Sequence, residues 1–105
     1  MNSPQDQGLP QLDAVIHAQA RLKVMVALAG LAPDDRITFP RLQKLLDMTA
    51  GNLSTHLRKL EEAEYVEVTK THERRTPVTH IALTPQGRLA FDTYVTNLRT
   101  LLDGP

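Results

Sequence analysis

One stretch of the sequence carries small and polar side chains on a face where a surface helix usually carries long charged ones. In TAGNLSTHLRKLEEAEY, residues 49–65, Leu53, Leu57 and Leu60 are spaced so that one side of a helix is apolar. The opposite side starts small and polar and becomes basic one turn later, with Thr49, Gly51, Asn52, Ser54, Thr55, Arg58 and Lys59. Such side chains pair with base edges and phosphates, and a small first turn lets the helix backbone approach a duplex closely. The pattern favours a DNA-contacting helix over the alternative, an ordinary solvated face.

A second pair of basic residues lies further along the chain. Arg74 and Arg75 belong to the polar stretch ERRTP, residues 73–77, between two runs rich in β-branched residues. Two arginines on an exposed hairpin tip suit contact with the phosphate backbone or the minor groove. Glu73 beside them favours the alternative reading, in which they are ordinary loop charges.

Helical periodicity predicts three helices before the hairpin. The first helical region covers residues 12–31, and its period slackens around residues 17–20, so a kink there is left open. A short helix over residues 40–48 follows, with a proline near its first turn, where proline is tolerated. Thr49 is placed as N-cap of the third helix, which runs to about Glu64. Two short helices joined by a tight turn form a helix-turn-helix unit, whose second helix points its N-terminal half into the major groove.

The remaining elements complete a winged helix-turn-helix, a mainly α fold with a β-hairpin wing (α+β). Residues 65–72 and 78–84 are predicted strands of the hairpin. Thr84 is then the N-cap of a long final helix that begins at Pro85. We expect one such domain over residues 12–102, preceded by a loose polar arm over residues 1–11.

The apolar stripe of the last helix is broader than a chain of 105 residues can cover by itself. A second copy of the chain is the partner that such a stripe predicts, because apolar surface of this extent is usually buried in an interface. The expected interface, formed by the first and last helices, contains Leu12, Val15, Ile16, Phe91, Tyr94, Val95, Leu98, Leu101 and Leu102.

Composition limits the classes of function. The 12 basic residues are balanced by 12 acidic ones, so nucleic-acid binding must depend on local charge placement. The absence of cysteine removes disulfides and thiolate metal sites and fits a reducing compartment. No apolar run approaches the roughly 20 residues of a membrane span, and the N-terminus lacks the features of a secretory signal. We therefore expect a cytoplasmic protein with no membrane partner.

The titratable residues do not assemble into a catalytic or metal site. Ser54 and His56 are two positions apart on a helix and do not face each other. No Gly-rich phosphate loop is present. No two histidines have the i, i+4 spacing of a helical zinc site, although His72 and His80 could face one another across the hairpin. We expect neither an enzyme nor a bound metal or other cofactor.

Three segments resemble a known family. FPRLQKLLDMTAGNLSTHLRKLEEAEYV, LTPQGRLAF and VIHAQARLKVMVAL are similar to segments of the small winged-helix transcriptional regulators related to the MarR and ArsR groups. The resemblance covers nearly the whole chain, and GNLSTHLRKLE is its most specific part. It implies a dimeric cytoplasmic regulator, with residues 49–64 as the recognition helix and residues 65–84 as the wing.

The sequence departs from that family at the end of the recognition helix. Family members usually carry glycine before the wing, whereas this chain has Glu64, so a non-glycine residue must end the helix there at some strain. Together with Glu61 and Glu62 it also reduces the positive potential behind the reading face.

The function expected is that of a homodimer that binds duplex DNA in a sequence-specific manner. The recognition helix would read the major groove, and the wing tip would contact the backbone or minor groove, on a near-palindromic operator. Two alternatives remain open. One is a winged-helix module for protein–protein contact that has lost DNA binding; the other is an effector-gated regulator with a small-molecule pocket at the dimer interface, the effector being unknown.

Overall fold

The helix-turn-helix and the wing are both present in the structure, a computed structural model that describes residues 9–104. The elements in chain order are α1 (Gln19–Ala29), β1 (Ile37–Thr38), α2 (Phe39–Leu46), α3 (Ala50–Glu62), β2 (Val66–Glu73), β3 (Thr76–Leu83) and α4 (Pro85–Asp103). The polar arm expected over residues 1–11 lies outside the described residues except for its last three positions. Four helices and a small antiparallel sheet confirm the winged helix-turn-helix fold.

The first helical region is shorter than predicted, because residues 14–16 form only a single turn and α1 begins at Gln19. The carboxylate of Asp13 caps a single helical turn here: its Oδ1 accepts from the backbone N–H groups of Val15 at 2.8 Å and Ile16 at 3.2 Å, and the N–H of His17 bonds to the carbonyl of Asp13 at 2.7 Å. The turn does not continue into α1, because the N–H of Ala18 bonds to the carbonyl of Ile16 at 2.7 Å. Ala18 is extended, with φ −146° and ψ 129°. The question of a kink is therefore answered by a complete break.

Two threonine caps set the helices of the DNA-binding unit. The hydroxyl of Thr38 accepts from the N–H of Arg41 at 3.4 Å at the start of α2, and that of Thr49 accepts from Asn52 at 3.1 Å at the start of α3. Between the helices, Asp47 adopts a left-handed conformation with φ 53°, and the next N–H, of Met48, bonds back to the carbonyl of Gln43 at 3.2 Å. This is a Schellman-type ending, which turns the chain sharply into α3. The prediction of Thr49 as N-cap is confirmed.

The wing is a longer and tighter hairpin than predicted. Strands β2 and β3 pair in antiparallel register from Val66 opposite Leu83 to Glu73 opposite Thr76. The tip expected over residues 73–77 is therefore only the two-residue turn Arg74–Arg75, with φ 49° and 69°. The strand β1, which was not predicted, pairs with β3 and gives the sheet the order β1-β3-β2.

The core lies between α1, α2, α3 and the inner face of the sheet. Leu53, Leu57 and Leu60 are at most 4% exposed, which confirms the apolar stripe predicted for α3. The other buried apolar residues are Ile16, Val24, Met25, Leu28, Leu42, Val66, Ile81 and Tyr94. Full burial of one such side chain contributes about 1.5–3 kcal/mol, so α3 is held firmly by its inner side.

A close backbone contact attaches α4 to the base of the wing. A Cβ atom on Gly87 would lie only 2.0 Å from the carbonyl oxygen of Tyr65, so only glycine fits. The hydroxyl of Thr84 accepts from the N–H of Gly87 at 2.9 Å and donates to the carbonyl of Glu64 at 2.6 Å. Glu64 itself has φ 65°, and the N–H of Tyr65 bonds to the carbonyl of Leu60 at 2.9 Å. The strained non-glycine helix ending predicted at Glu64 is confirmed.

Within residues 9–104, none of the helices has the length and apolarity that crossing a membrane requires.

Candidate nucleic-acid interface

The first turns of α3 are exposed on the side away from the core. The residues predicted to contact DNA there are all exposed: Thr49, Gly51, Asn52, Ser54, Thr55, Arg58 and Lys59. A Cβ atom on Gly51 would meet nothing within 4 Å. Packing therefore does not require this glycine, although glycine lowers helix stability by roughly 1 kcal/mol relative to alanine. The small side chains of the first turn therefore affect the shape of the surface and not the packing of the core.

Two of these side chains have structural roles within the helix. Thr49 uses its hydroxyl oxygen to cap α3, and Thr55 donates its hydroxyl to the carbonyl of Gly51 at 2.9 Å. Asn52, Ser54 and Arg58 are not engaged in this way. The N-terminus of α3 also carries the partial positive charge and the free N–H groups with which every α-helix begins. The exposed end of the helix is thus suited to phosphate and base edges alike.

A cleft of about 720 Å³ separates α3 from the wing. Ser54 and Arg58 line it from the helix, and Lys70 and Thr79 line it from β2 and β3. Its remaining lining residues are Phe39, Leu57, Glu61 and Val68. The cleft brings two predicted residues together with a cation from the wing, which gives a positively charged passage that Glu61 partly offsets.

Lys70 is a candidate contact residue that sequence reasoning missed. It shares the inner face of β2 with Val66 and Val68, because side chains alternate along a strand. An exposed lysine at this position means that the hairpin extends past the edge of the core. The alternation itself was a usable signal, since a lysine in an otherwise apolar row marks the place where burial ends.

The wing tip lies further out than the cleft. Arg74 and Arg75 are exposed, and they follow Lys70 by four and five residues, a distance of roughly 13–17 Å along a strand. Both have positive φ, the conformation that two-residue hairpin turns require and that asparagine and glycine adopt most readily. Two arginines here are therefore a locally unfavourable choice.

The residues expected at a dimer interface fall into two groups. Ile16 and Tyr94 are 0% and 2% exposed within the single chain, so they are core residues and present no surface to a second copy. The others are half-buried or exposed: Leu12, Val15, Phe91, Val95, Leu98, Leu101 and Leu102. Leu89 on the same helix is 69% exposed and Leu102 is 76% exposed. A single protomer thus leaves most of the apolar stripe of α4 partly uncovered.

Polar contacts join the turn before α1 to the wing base and to α4. The hydroxyl of Tyr65 donates to Oδ2 of Asp13, and this hydrogen bond, with partial burial, raises the pKa of Tyr65 to about 12. The Nδ1 atom of His17 lies 3.0 Å from the hydroxyl of Tyr94. These contacts hold the turn in place beside the end of α3.

The histidines of the wing do not form a pair. His72 is opposite Pro77 and His80 is opposite Thr69, so the expectation that the two could face one another across the hairpin is wrong. Among the described residues, no group of three or more His, Asp or Glu side chains is arranged to hold a metal ion.

Comparison with known proteins agrees with this geometry. The family model described as winged helix DNA-binding domain matches residues 20–102. A relative from Methanocaldococcus jannaschii, the uncharacterized protein MJ0432, is 36% identical over 81 residues, which cover 77% of this chain and 85% of the relative.

Solved structures extend the comparison. A transcriptional regulator homologue from Pyrococcus horikoshii OT3 has a TM-score of 0.77 and 31% identity, over 86% of each chain. A MarR family transcriptional regulator from Silicibacter pomeroyi has a TM-score of 0.65 and 21% identity, over 86% of this chain and 57% of that one. The relation to the ArsR group stays a prediction. The fold is thus shared with a MarR family regulator, and the chain belongs to the winged helix DNA-binding domain family.

Proposed function

We propose that this protein is a cytoplasmic homodimer that binds a near-palindromic DNA operator and regulates transcription from it. The observation that carries the proposal is the exposed start of α3, where Gly51 has no packing role and short polar residues surround it. A helix start of this shape leaves room for a duplex to approach, and the apolar side of the helix is buried in the core.

Sequence would be read by the exposed side of α3 in the major groove. Arg58 is the first candidate, because its guanidinium can pair with the O6 and N7 atoms of guanine. Asn52 could pair with adenine in the same way, although its position near the helix start also suits a phosphate. Gly51 would allow the backbone to approach closely.

The wing would hold the phosphate backbone. Lys70 lies on the cleft through which a strand next to α3 would pass, and we add it to the predicted contacts. Arg74 and Arg75 would contact phosphates or the minor groove beyond it. These contacts supply affinity and register, and they do not depend strongly on sequence.

The incompletely covered stripe of α4 supports the dimer. Phe91, Val95 and Leu98 are half-buried in one protomer, and Leu102 is exposed. Burying such a stripe against a second copy would place two recognition helices in one particle. The half-sites would then be about one helical turn apart, or a multiple of it.

One structural feature favours the rival function, a protein–protein module without DNA binding. Glu61 lines the same cleft as Arg58 and Lys70, and Glu62 is exposed on the next position of α3. These carboxylates weaken the positive potential that a DNA backbone needs. A module of this kind would show no salt-dependent affinity for duplex DNA.

A second feature bears on the effector-gated alternative. A groove of about 510 Å³ runs between the segment around Leu12 and α4, with Tyr65 and Leu89 among its lining residues. This volume is in the range of small-molecule sites, roughly 300–1,000 Å³. Thermal-shift screening of ligand collections separates an effector-gated protein from a constitutive DNA binder.

The deciding experiment is selection of bound sequences from a random duplex pool at two salt concentrations, followed by titration of the selected operator. We expect Arg58→Ala to cost roughly 1–3 kcal/mol on the operator and to relax discrimination at one base pair per half-site. Gly51→Glu should abolish docking without unfolding the protein. Arg99→Ala, which removes the same charge from an exposed position of α4, is the control.

Two results would overturn the proposal. Wild-type protein that binds no duplex better than another, at either salt concentration, is not a sequence-specific regulator. If it selects an operator but Arg58→Ala and Gly51→Glu bind as the wild type does, while circular dichroism shows both folded, α3 is not the reading helix.

A further inference from the structure

The side chain of Arg21 connects two segments that are far apart in the sequence, the turn before α1 and the recognition helix α3. It lies in the first turn of α1 and is half-buried. Its Nε donates to the carbonyl of Val15 at 2.5 Å, and its Nη1 lies 3.4 Å from Nδ1 of His56. Because a guanidinium can only donate, Nδ1 of His56 must be the acceptor. One side chain thus bridges the turn before α1 and the recognition helix α3.

The turn that Arg21 holds is itself anchored on two further elements. Asp13 accepts from Tyr65 at the base of the wing, and His17 contacts Tyr94 of α4. The turn is therefore fixed relative to the wing and the last helix. Through Arg21 the same fixed point reaches α3.

His56 occupies a position from which the orientation of the reading side can be controlled. It follows Asn52 by four residues and precedes Lys59 by three, so the three side chains form one row along α3. His56 is half-buried, whereas its two neighbours in the row are exposed. A directed bond at this position restrains the row that borders the reading side.

Apolar packing alone does not supply that restraint. Leu53, Leu57 and Leu60 hold α3 on the core, but the hydrophobic effect is non-directional and does not by itself set the rotation of the helix as a hydrogen bond does. A hydrogen bond on the flank has a preferred distance and angle. Placement of base-contacting side chains to within a fraction of an ångström requires such a supporting contact.

We infer that Arg21 is a positioning residue for DNA recognition: through His56 it fixes the orientation of α3, and so determines discrimination between operator sequences. The inference rests on the proposed reading role of α3. The competing role for Arg21 is direct contact with a phosphate. That role would appear as a uniform loss of affinity and a salt dependence reduced by about one charge.

The test compares variants by the ratio of affinities for the operator and for its single-base variants. Arg21→Lys keeps the charge, but it replaces two separate donor nitrogens, Nε and Nη1, with a single nitrogen that cannot reproduce both contacts in the same geometry. We expect this ratio to fall by roughly threefold to tenfold, the size of one net hydrogen bond, with an unchanged salt slope. His56→Leu should have the same effect, and the double variant should be no worse than either single one.

Two variants serve as controls. His56→Gln keeps an acceptor for Arg21 and should retain most of the discrimination. Lys23→Ala removes a cation from an exposed position of the same helix and should leave the ratio unchanged. Thermal melts followed by circular dichroism identify any variant that is unfolded at the assay temperature, and His56→Leu carries the test if Arg21→Lys is such a variant.

The outcomes separate this inference from the proposed function. Independent, multiplicative effects of Arg21→Lys and His56→Leu would overturn the inference, and so would a uniform loss with a reduced salt slope. If the wild type selects an operator but discrimination is unchanged in both variants, the inference alone fails. If the wild type shows no sequence preference, the proposed function fails and the inference fails with it.

Discussion

The wing tip offers a test in which stability and DNA binding should change in opposite directions. Arg74 and Arg75 form a two-residue turn with both φ angles positive, at 49° and 69°. Asparagine followed by glycine is the preferred pair for such a turn. We therefore predict that Arg74→Asn combined with Arg75→Gly stabilises the fold and weakens binding to every duplex.

The size of the stability change follows from the backbone conformation. A left-handed residue other than glycine costs roughly 1–2 kcal/mol, and glycine returns roughly 0.5–1 kcal/mol of this through its greater freedom in the unfolded chain. The net gain is about 0.5–1 kcal/mol at Arg75, which becomes glycine. Asparagine in place of Arg74 tolerates the left-handed conformation and adds less, so the pair gains about 1 kcal/mol. For a domain of this size that raises Tm by roughly 4–8 °C.

The size of the binding change follows from charge. Each phosphate contact contributes a slope of about 0.9 to the dependence of log affinity on log salt. Loss of both arginines should reduce the slope by about 1.8 per protomer, or about 3.6 for the dimer, and weaken binding by up to roughly 60-fold per protomer at 0.1 M salt. Because phosphates carry no sequence information, the preference among duplexes should not change.

The assays are a thermal melt followed by circular dichroism and duplex titrations at several salt concentrations. Arg74→Lys with Arg75→Lys is the matched control, since it keeps both charges and the strained backbone; it should preserve Tm and the salt slope. A variant pair that melts at or below the wild-type temperature would refute the argument from strain. A stabilised pair with an unchanged salt slope would remove the arginines from the DNA interface.

Three further predictions concern the scaffold. Gly87→Ala should lower the free energy of unfolding by about 2–3 kcal/mol or prevent folding, because its Cβ would lie 2.0 Å from a carbonyl oxygen. Gly51→Ala is the control: its Cβ would meet nothing within 4 Å, so this variant should melt no lower than the wild type. Tyr65→Phe should lower the free energy of unfolding by about 1 kcal/mol at neutral pH. Because the pKa of Tyr65 in the folded protein, about 12, exceeds the ordinary 10.0, this contribution is complete below pH 10.0 and is lost as pH rises through about 12. Spectrophotometric titration of tyrosinate and thermal melts at high pH would check it. Leu98→Glu with Leu101→Glu should yield monomer or aggregate, and sedimentation of a wild type that is already monomeric at micromolar concentration would contradict the dimer.

The helix-turn-helix could be predicted from sequence because its signals are local. The spacing of Leu53, Leu57 and Leu60 and the cap at Thr49 identify α3 without knowledge of any distant residue. The same holds for the opening of α4, where Thr84 accepts from the N–H of Gly87. Capping residues and periodic apolar residues can both be recognised within a short stretch of sequence.

The break before α1 was only partly indicated by the sequence: the helical period slackens around residues 17–20, and the chain is extended at Ala18. Val15 and Ile16 fit a helical period equally well when they belong to a turn packed on the core. The turn is held by Asp13, whose carboxylate accepts from two backbone N–H groups and also from the hydroxyl of Tyr65. The last contact spans 52 positions, so periodicity within a window carries no information about it.

The wing tip is shorter than the sequence predicts, also because of a contact outside the local window. Pro77 reads as a loop residue, because proline cannot donate a ladder hydrogen bond. In the structure it lies in β3 opposite His72, beyond the point where β1 pairs with that strand. Its missing N–H therefore falls on a side without a neighbouring strand, and the hairpin continues past it. Only the sheet order β1-β3-β2 reveals this freedom.

Positions where the chain breaks a local rule help to locate the function. Gly51 weakens a helix without a packing reason, Lys70 interrupts an apolar row, and Arg74 with Arg75 occupies a turn that suits asparagine and glycine. All of these lie on the start of α3, the adjoining cleft or the wing. Locally unfavourable choices tend to persist where function requires them.

Glu64 is a strained position that we expect to have a structural role and no contact with DNA. It also occupies an unfavourable conformation, with φ 65°, but it lies at the opposite end of α3 from the exposed first turns, where its carbonyl accepts from Thr84. That hydrogen bond uses only the backbone and does not need a glutamate side chain. Glu64→Gly should therefore raise the free energy of unfolding by roughly 0.5–1 kcal/mol and leave the operator preference unchanged. If Glu64→Gly altered the preference among duplexes, local strain would not distinguish DNA-contacting positions from structural ones in this protein.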